Sequence, residues 1–351
     1  EDSFYFELPA SWLQGVVDLE VRGVDRTFTC TEAAGEANDC RAQAVFTTAS
    51  TAEVKLVGIT WQENGQKHTP AEEDYREVER QIEATLPVPQ LSVERAPSAV
   101  APAFLAGPPV SAEQLARINN LLAVQRILDG CLLGCNRYYL GVLVDPPAAA
   151  VASVATGIPG FVASSYVTTE LAHPHSLAHN LGRPNVLCSG SESNPGEFPY
   201  ADGRIGGAAA ENDVYFGFDV SRKIVYGPDS GELMSDCTPR WISDYTYNAV
   251  RAALADQDSA RRTEEPALQV GEPTILVAGE VLRNQWGGSF STVYSLPAPE
   301  GAALPPAGDY TISLRDAAGA ELAAYSFAPA IPSEGEIGTF ALLLPKPTGT
   351  Q

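Results

Sequence analysis

Methionine is almost missing from this chain of 351 residues, with one copy at Met234, and histidine is scarce, with four. Cations are few as well: 22 lysines and arginines face 44 aspartates and glutamates, for a net charge of −22. That balance argues against recognition of nucleic acid or an anionic membrane through charge. It fits a soluble surface or secreted protein, although an acidic excess is usually a solubility feature and names no partner. No run of eighteen apolar residues escapes a break by charge, proline or glycine, so no membrane span is expected. No calcium loop of standard spacing and no repeat of fixed period appear. The first residue is Glu1, with neither methionine nor export signal before it, which reads as a processed or trimmed product.

What is present is globular material. Apolar residues make up 44% of the chain, and the length suggests two or three domains. Six cysteines form three plausible couples: Cys30 with Cys40, Cys131 with Cys135, and Cys188 with Cys237. An even count with short-range couples favours disulfides and an oxidising, secreted or cell-surface location. A cysteine zinc site at Cys131 and Cys135 is the competing reading, but no second close pair lies beside it.

Three modules follow from the hydrophobic patterning. Residues 1–52 alternate at Val17, Leu19 and Val21 and read as a small β-sandwich. Residues 53–258 mix strands and helices. Thr69, Pro70 and Glu72 read as an N-cap, a first helical proline and a capping-box acid. The helix after them buries Tyr75, Val78 and Ile82, and a second helix after Ser111 presents Leu115, Ile118, Leu122 and Leu128. Tyr138 to Val144 and Phe161 to Val167 read as buried strands, and Ser243 to Leu254 as a closing helix with Tyr247, Val250 and Leu254 inward. The polar stretch Asp256 to Glu265 reads as a linker. Residues 264–351 return to β patterning and predict an immunoglobulin-like sandwich. The fold class is therefore multidomain α+β: a mixed sheet with helices, flanked by β-sandwich domains.

The chemistry concentrates in about residues 168–182, predicted as a helix. His175 and His179 are four apart, so a helix points both from one face and lets them share a metal ion. His173 falls off that face and reads as an exposed residue before Pro174. Gly182 lets the chain turn, and Asn185 follows where a third ligand would return.

This frame, His-x-x-x-His-x-x-Gly-x-x-Asn, resembles the zinc helix of the metzincin metalloproteases. Met234, in Gly231-Glu232-Leu233-Met234-Ser235-Asp236-Cys237, stands at the distance of that family's methionine turn. The following Pro239-Arg240-Trp241-Ile242-Ser243-Asp244-Tyr245 and the Cys188/Cys237 couple are similar to a group of bacterial secreted members, some of which cleave mucin-like glycoproteins. The resemblance implies zinc as cofactor, His175, His179 and Asn185 as its ligands, and Met234 as support beneath them. It places Ser176 at the position of the general-base glutamate, and Asp236 where a tyrosine often stands.

Those departures bear on activity. A serine hydroxyl cannot take a proton from water near neutral pH, and loss of a positioned base costs about 10²–10⁴-fold. An amide oxygen at Asn185 is a weaker zinc ligand than imidazole. The resemblance therefore implies a metzincin-like pseudoprotease that binds an extracellular protein or glycoprotein. Two alternatives stand beside it: an active zinc metalloendopeptidase with an atypical site, in which Asp236 ligates the ion or acts as base, and a structural cell-surface protein.

Overall fold

The computed structural model describes residues 8–20, 30–31, 37–38, 41–100, 107–132, 134–148, 150–188, 198–206, 215–260, 268–282 and 287–350. At the N-terminal end β1 (Gly15–Glu20) pairs antiparallel with β4 (Arg41–Phe46), and β2 (Cys30–Thr31) with β3 (Ala37–Asn38). Val16 and Val45 in the first ladder are exposed. The described residues there form two small ladders. The Cys30–Cys40 couple lies outside the described residues.

The main sheet begins with β5 (Ala52–Glu63), which carries valine, leucine and isoleucine on both faces because both are covered. A hairpin leads to β6 (Gln66–His68), followed by α1 (Glu72–Thr85), β7 (Leu91–Val100), α2 (Ala112–Leu128) and β8 (Tyr138–Leu143). β9 (Ser153–Gly157) and β10 (Gly160–Tyr166) complete the sheet, and α3 (Ala172–Asn180) follows. In space the order is β7, β5, β8, β10, β9. The first four of these run parallel, and β9 lies antiparallel to β10 at the edge. β6 pairs antiparallel with the far end of β5.

Short pieces β11 (Gly217–Asp219), β12 (Ile224–Tyr226), β13 (Gly231–Glu232) and β14 (Arg240–Trp241) precede α4 (Asp244–Ala260). One face of the sheet is covered by α1, α3 and α4, through Tyr75, Val78, Ile82, Leu177, Ala178, Val250 and Leu254. α2 covers the other face with Leu115, Ile118 and Leu122.

Several local expectations shift. α1 starts after Ala71, whose N–H donates to the Asp74 carboxylate at 2.7 Å, while Thr69 bonds Thr60 instead of capping. Leu128 is 52% exposed, because a step of six residues from Leu122 rotates it off the buried stripe. Tyr247 is 41% exposed although its spacing of three and seven residues puts it in phase with the buried Val250 and Leu254; it lies in the first turn of α4. α4 runs on to Ala260, through the start of the predicted linker.

The C-terminal strands are β15 (Pro273–Leu282), β16 (Gly287–Pro297), β17 (Tyr310–Arg315), β18 (Glu321–Phe327) and β19 (Ile337–Pro345). A sheet ordered β16, β15, β19 faces the β17–β18 pair across Ile275, Val277, Phe340, Ile312, Leu314 and Phe327. This is a two-layer arrangement, with five strands among the described residues. The outer side of β15 and β19 packs Leu276, Ala278 and Leu343 against Val124 and Ile127 of α2. α2 thus has two apolar faces, one for each sheet it separates. Arg117 and Glu280 form an ion pair across that junction at 2.7 Å. No helix among the described residues is long and apolar enough to cross a membrane.

Candidate metal centre

α3 has nine residues, shorter than the predicted helix, because Leu171 adopts a left-handed conformation (φ 58°) and starts it late. His175 and His179 project from one side with ring centres 4.6 Å apart, edge to face. Each ring is fixed by a backbone carbonyl. The Nδ1 of His175 lies 2.8 Å from the Leu233 oxygen, and that of His179 lies 2.6 Å from the Arg183 oxygen. A carbonyl only accepts, so both Nδ1 atoms carry the proton and both Nε2 atoms present lone pairs. The Nε2 of His179 is buried without a hydrogen-bond partner. The amide of Asn185 lies beside this ring and partly offsets the effect of burial on it. Burial first, and the neighbouring imidazole second, hold His175 neutral with its pKa pushed down to about 3; burial takes His179 to about 4.

The turn under these rings is built around a buried acid. Glu232 is fully buried and accepts from the Met234 N–H at 2.5 Å and from the N–H and hydroxyl of Ser243 at 3.3 and 3.1 Å. Ser243 in turn caps α4 by accepting the Thr246 N–H at 3.2 Å. Burial raises the pKa of Glu232, against those donors. The segment carrying Asn185 is tied to the same turn, since the Val186 N–H donates to the Met234 oxygen at 2.9 Å and a disulfide joins Cys188 to Cys237. Arg240 clamps the turn from outside through the Ser235 and Glu170 carbonyls at 3.0 and 2.6 Å. The second disulfide, Cys131–Cys135, closes the loop after α2, away from this site.

A cavity of about 330 Å³ opens in front of the rings, and His175, Asn185, Met234 and Asp236 line it together. His179 sits just behind His175, outside the lining. Ser176 is 0% exposed and turned into the sheet, where the Ser165 hydroxyl lies 3.1 Å from its own. His173 is a correction: it is 1% exposed, packed toward the Gly141 backbone of β8 with neither ring nitrogen hydrogen-bonded, its pKa pushed down to about 3 by burial. Pro174 is the third residue of α3, so His173 belongs to the first turn of the helix rather than to a segment before it. Among the described residues no three histidine, cysteine, aspartate or glutamate side chains converge as a metal set.

Sequence reasoning passed over Glu232, Arg240, Ser153 and Glu334. Glu232 has no signature, since nothing in a short turn distinguishes a buried acid from a solvated one. Glu334 comes from the C-terminal strands, yet it lines the same cavity; burial and then the charge of Asp236 raise its pKa.

No family model and no curated protein matches this chain. Among solved structures it is similar to metalloproteinase-II from Bacteroides fragilis, at 12% identity and a TM-score of 0.31, over 59% of this chain and 54% of that one. An overlap that loose fixes neither fold family nor activity.

Proposed function

We propose that the cleft is a metalloprotease-like site of metzincin type, within residues 53–258, that holds a divalent metal and binds an extended segment of an extracellular protein or glycoprotein with little hydrolysis. The observation that carries this reading is a pair of imidazoles with ring centres 4.6 Å apart, both turned with Nδ1 toward a backbone carbonyl, so that neither Nε2 carries the proton and that of His179 is buried without a hydrogen-bond partner. Outer hydrogen bonds of this kind orient histidines that ligate metal. The donor set fits zinc at two positions, His175 and His179, with the exposed amide oxygen of Asn185 as a neutral third. When bound, zinc supplies Lewis acidity and lowers the pKa of a coordinated water.

The chain's own groups explain the modest chemistry expected. Ser176 bonds Ser165 rather than facing the cavity, and its hydroxyl is no base at neutral pH. Asp236 lines the cavity and is the one nearby acid that the resemblance had singled out.

Zinc titration by calorimetry, with elemental analysis of the purified protein, tests the metal reading. One zinc per chain is expected. Removing an outer-shell group costs about 10–100-fold in affinity, so His175→Ala and His179→Ala should each lose more than that. Absence of binding by the wild type sinks the metal site. Chelator-sensitive turnover of casein at ordinary protease rates sinks the claim of weak hydrolysis. The double variant Ser176→Glu, Asn185→His should gain turnover. Ser165 pairs with Ser153 in register and Ser153 lines the cavity, so a longer side chain at 176 has a route toward it.

A further inference from the structure

β9 is the outermost strand of the main sheet, and Ser153 at its start lines the cavity. Exposed strand edges are where extended peptides add by backbone pairing. Here that edge is taken by the chain itself. Between β18 and β19, Pro332 stands opposite Thr156 in an antiparallel bridge. The Gly157 N–H donates to the Ile331 oxygen at 2.9 Å, and the Ser333 N–H donates to the Ala155 oxygen at 2.8 Å. The Ala155 N–H donates to the Ser333 hydroxyl at 3.1 Å.

The next residue, Glu334, lines the cavity alongside His175 and Asp236. Gly335 then passes against the start of α2 with φ +97°, where an added Cβ would stand 3.3 Å from that of Ala112. Beyond it the Glu336 backbone donates to the Glu113 carboxylate. Ile331 to Glu336 is thus a strap, pinned at both ends, that runs along the edge of β9 and puts Glu334 into the lining of the cavity.

We propose that this strap is a self-supplied occupant of the cleft: it holds the edge of β9 that an incoming extended peptide would use and closes the cavity in front of His175. The inference rests on the reading of the cleft as a peptide site. The hold is built to release. Two backbone hydrogen bonds flanking the Thr156–Pro332 pair and one bond to the Ser333 hydroxyl are all that is formed along β9, and the Glu334 carboxylate feels the like charge of Asp236. A peptide that binds only the open form meets an apparent Kd raised by the inverse of the open fraction.

The test uses the full chain, a fluorescein-labelled unfolded casein peptide read by anisotropy, and hydrogen exchange at Ala155 and Gly157. Ser333→Pro deletes the donor N–H of the strap, and Glu334→Gly empties the cavity while leaving the pairing in place. With the strap open in about a tenth of wild-type molecules, Ser333→Pro should tighten peptide binding about ten-fold and speed exchange at both amides. Glu334→Gly should tighten binding by a smaller factor with exchange unchanged. Equal affinity in wild type and both variants overturns the strap and leaves the peptide site standing. Failure of every form to bind, with exchange at β9 accelerated in Ser333→Pro, overturns the strap together with the reading it rests on.

Discussion

The two walls of the cleft are joined by contacts of very different reach along the chain. On the floor, His175 meets Leu233 across 58 residues, and the Cys188–Cys237 bridge closes a separation of 49. At the edge, Ala155 meets Ser333 across 178 residues. The floor is cross-braced by a disulfide, a buried acid and an arginine clamp, whereas the edge rests on a few hydrogen bonds from another set of sheets. The floor is therefore the rigid half, and the edge is the half that can part.

Acid should break the floor before the edge. The three histidines of α3 have folded pKa values of about 3, 3 and 4, below the unfolded value of about 6.5. Their contribution is fully present above pH 6.5 and is lost as pH falls toward the folded values, because the unfolded chain then binds more protons. From pH 6.5 to 5 each should cost about 2 kcal/mol of stability in metal-free protein, read from urea midpoints. Saturating zinc should add to the losses at His175 and His179, which must shed the metal to be protonated, and leave His173 unaltered.

Opening the floor covalently should come next. Cys188→Ala with Cys237→Ala removes a cross-link of separation 49, a loss of about 4 kcal/mol on the chain-entropy estimate. Exchange protection at Ala155 should survive it, and its collapse would show that the walls are not independent. Glu232→Ala leaves the Met234 and Ser243 donors unpaired in a buried place, for about 2–3 kcal/mol. A zinc titration should show a loss of about ten-fold in the same variant, since the turn orients His175. Arg117→Ala, at the half-exposed pair that joins α2 to β15, should cost less than about 1 kcal/mol and chiefly loosen the edge.

Much of the floor was legible in the residues. The spacing of His175 and His179 and a lone methionine at the right remove pointed to one place, and the structure puts His175 and Met234 in the lining of one cavity with His179 beside His175. Strands at Tyr138 and Phe161 were readable because apolar runs bounded by turns leave few options. β9 was not, because Ser153-Val154-Ala155-Thr156-Gly157 has a single large apolar residue and takes its conformation from the neighbour it pairs with. His173 misled because exposure beside a proline is a local inference, and its burial depends on how α3 seats on β8.

By itself, then, the sequence determined the local features: which residues share a helical face, and an acidic excess that argues against polyanionic partners. Tertiary structure alone decided that Ser176 turns into the sheet, that Glu232 is buried beneath the turn, and that Glu334 lines the same cavity as His175 from more than 150 residues away. Local spacing constrains direction around one element's axis. Which distant segment fills the space in front of it is decided only when sheets and helices pack, because that choice depends on complementary surfaces and free strand edges that no single stretch of chain encodes.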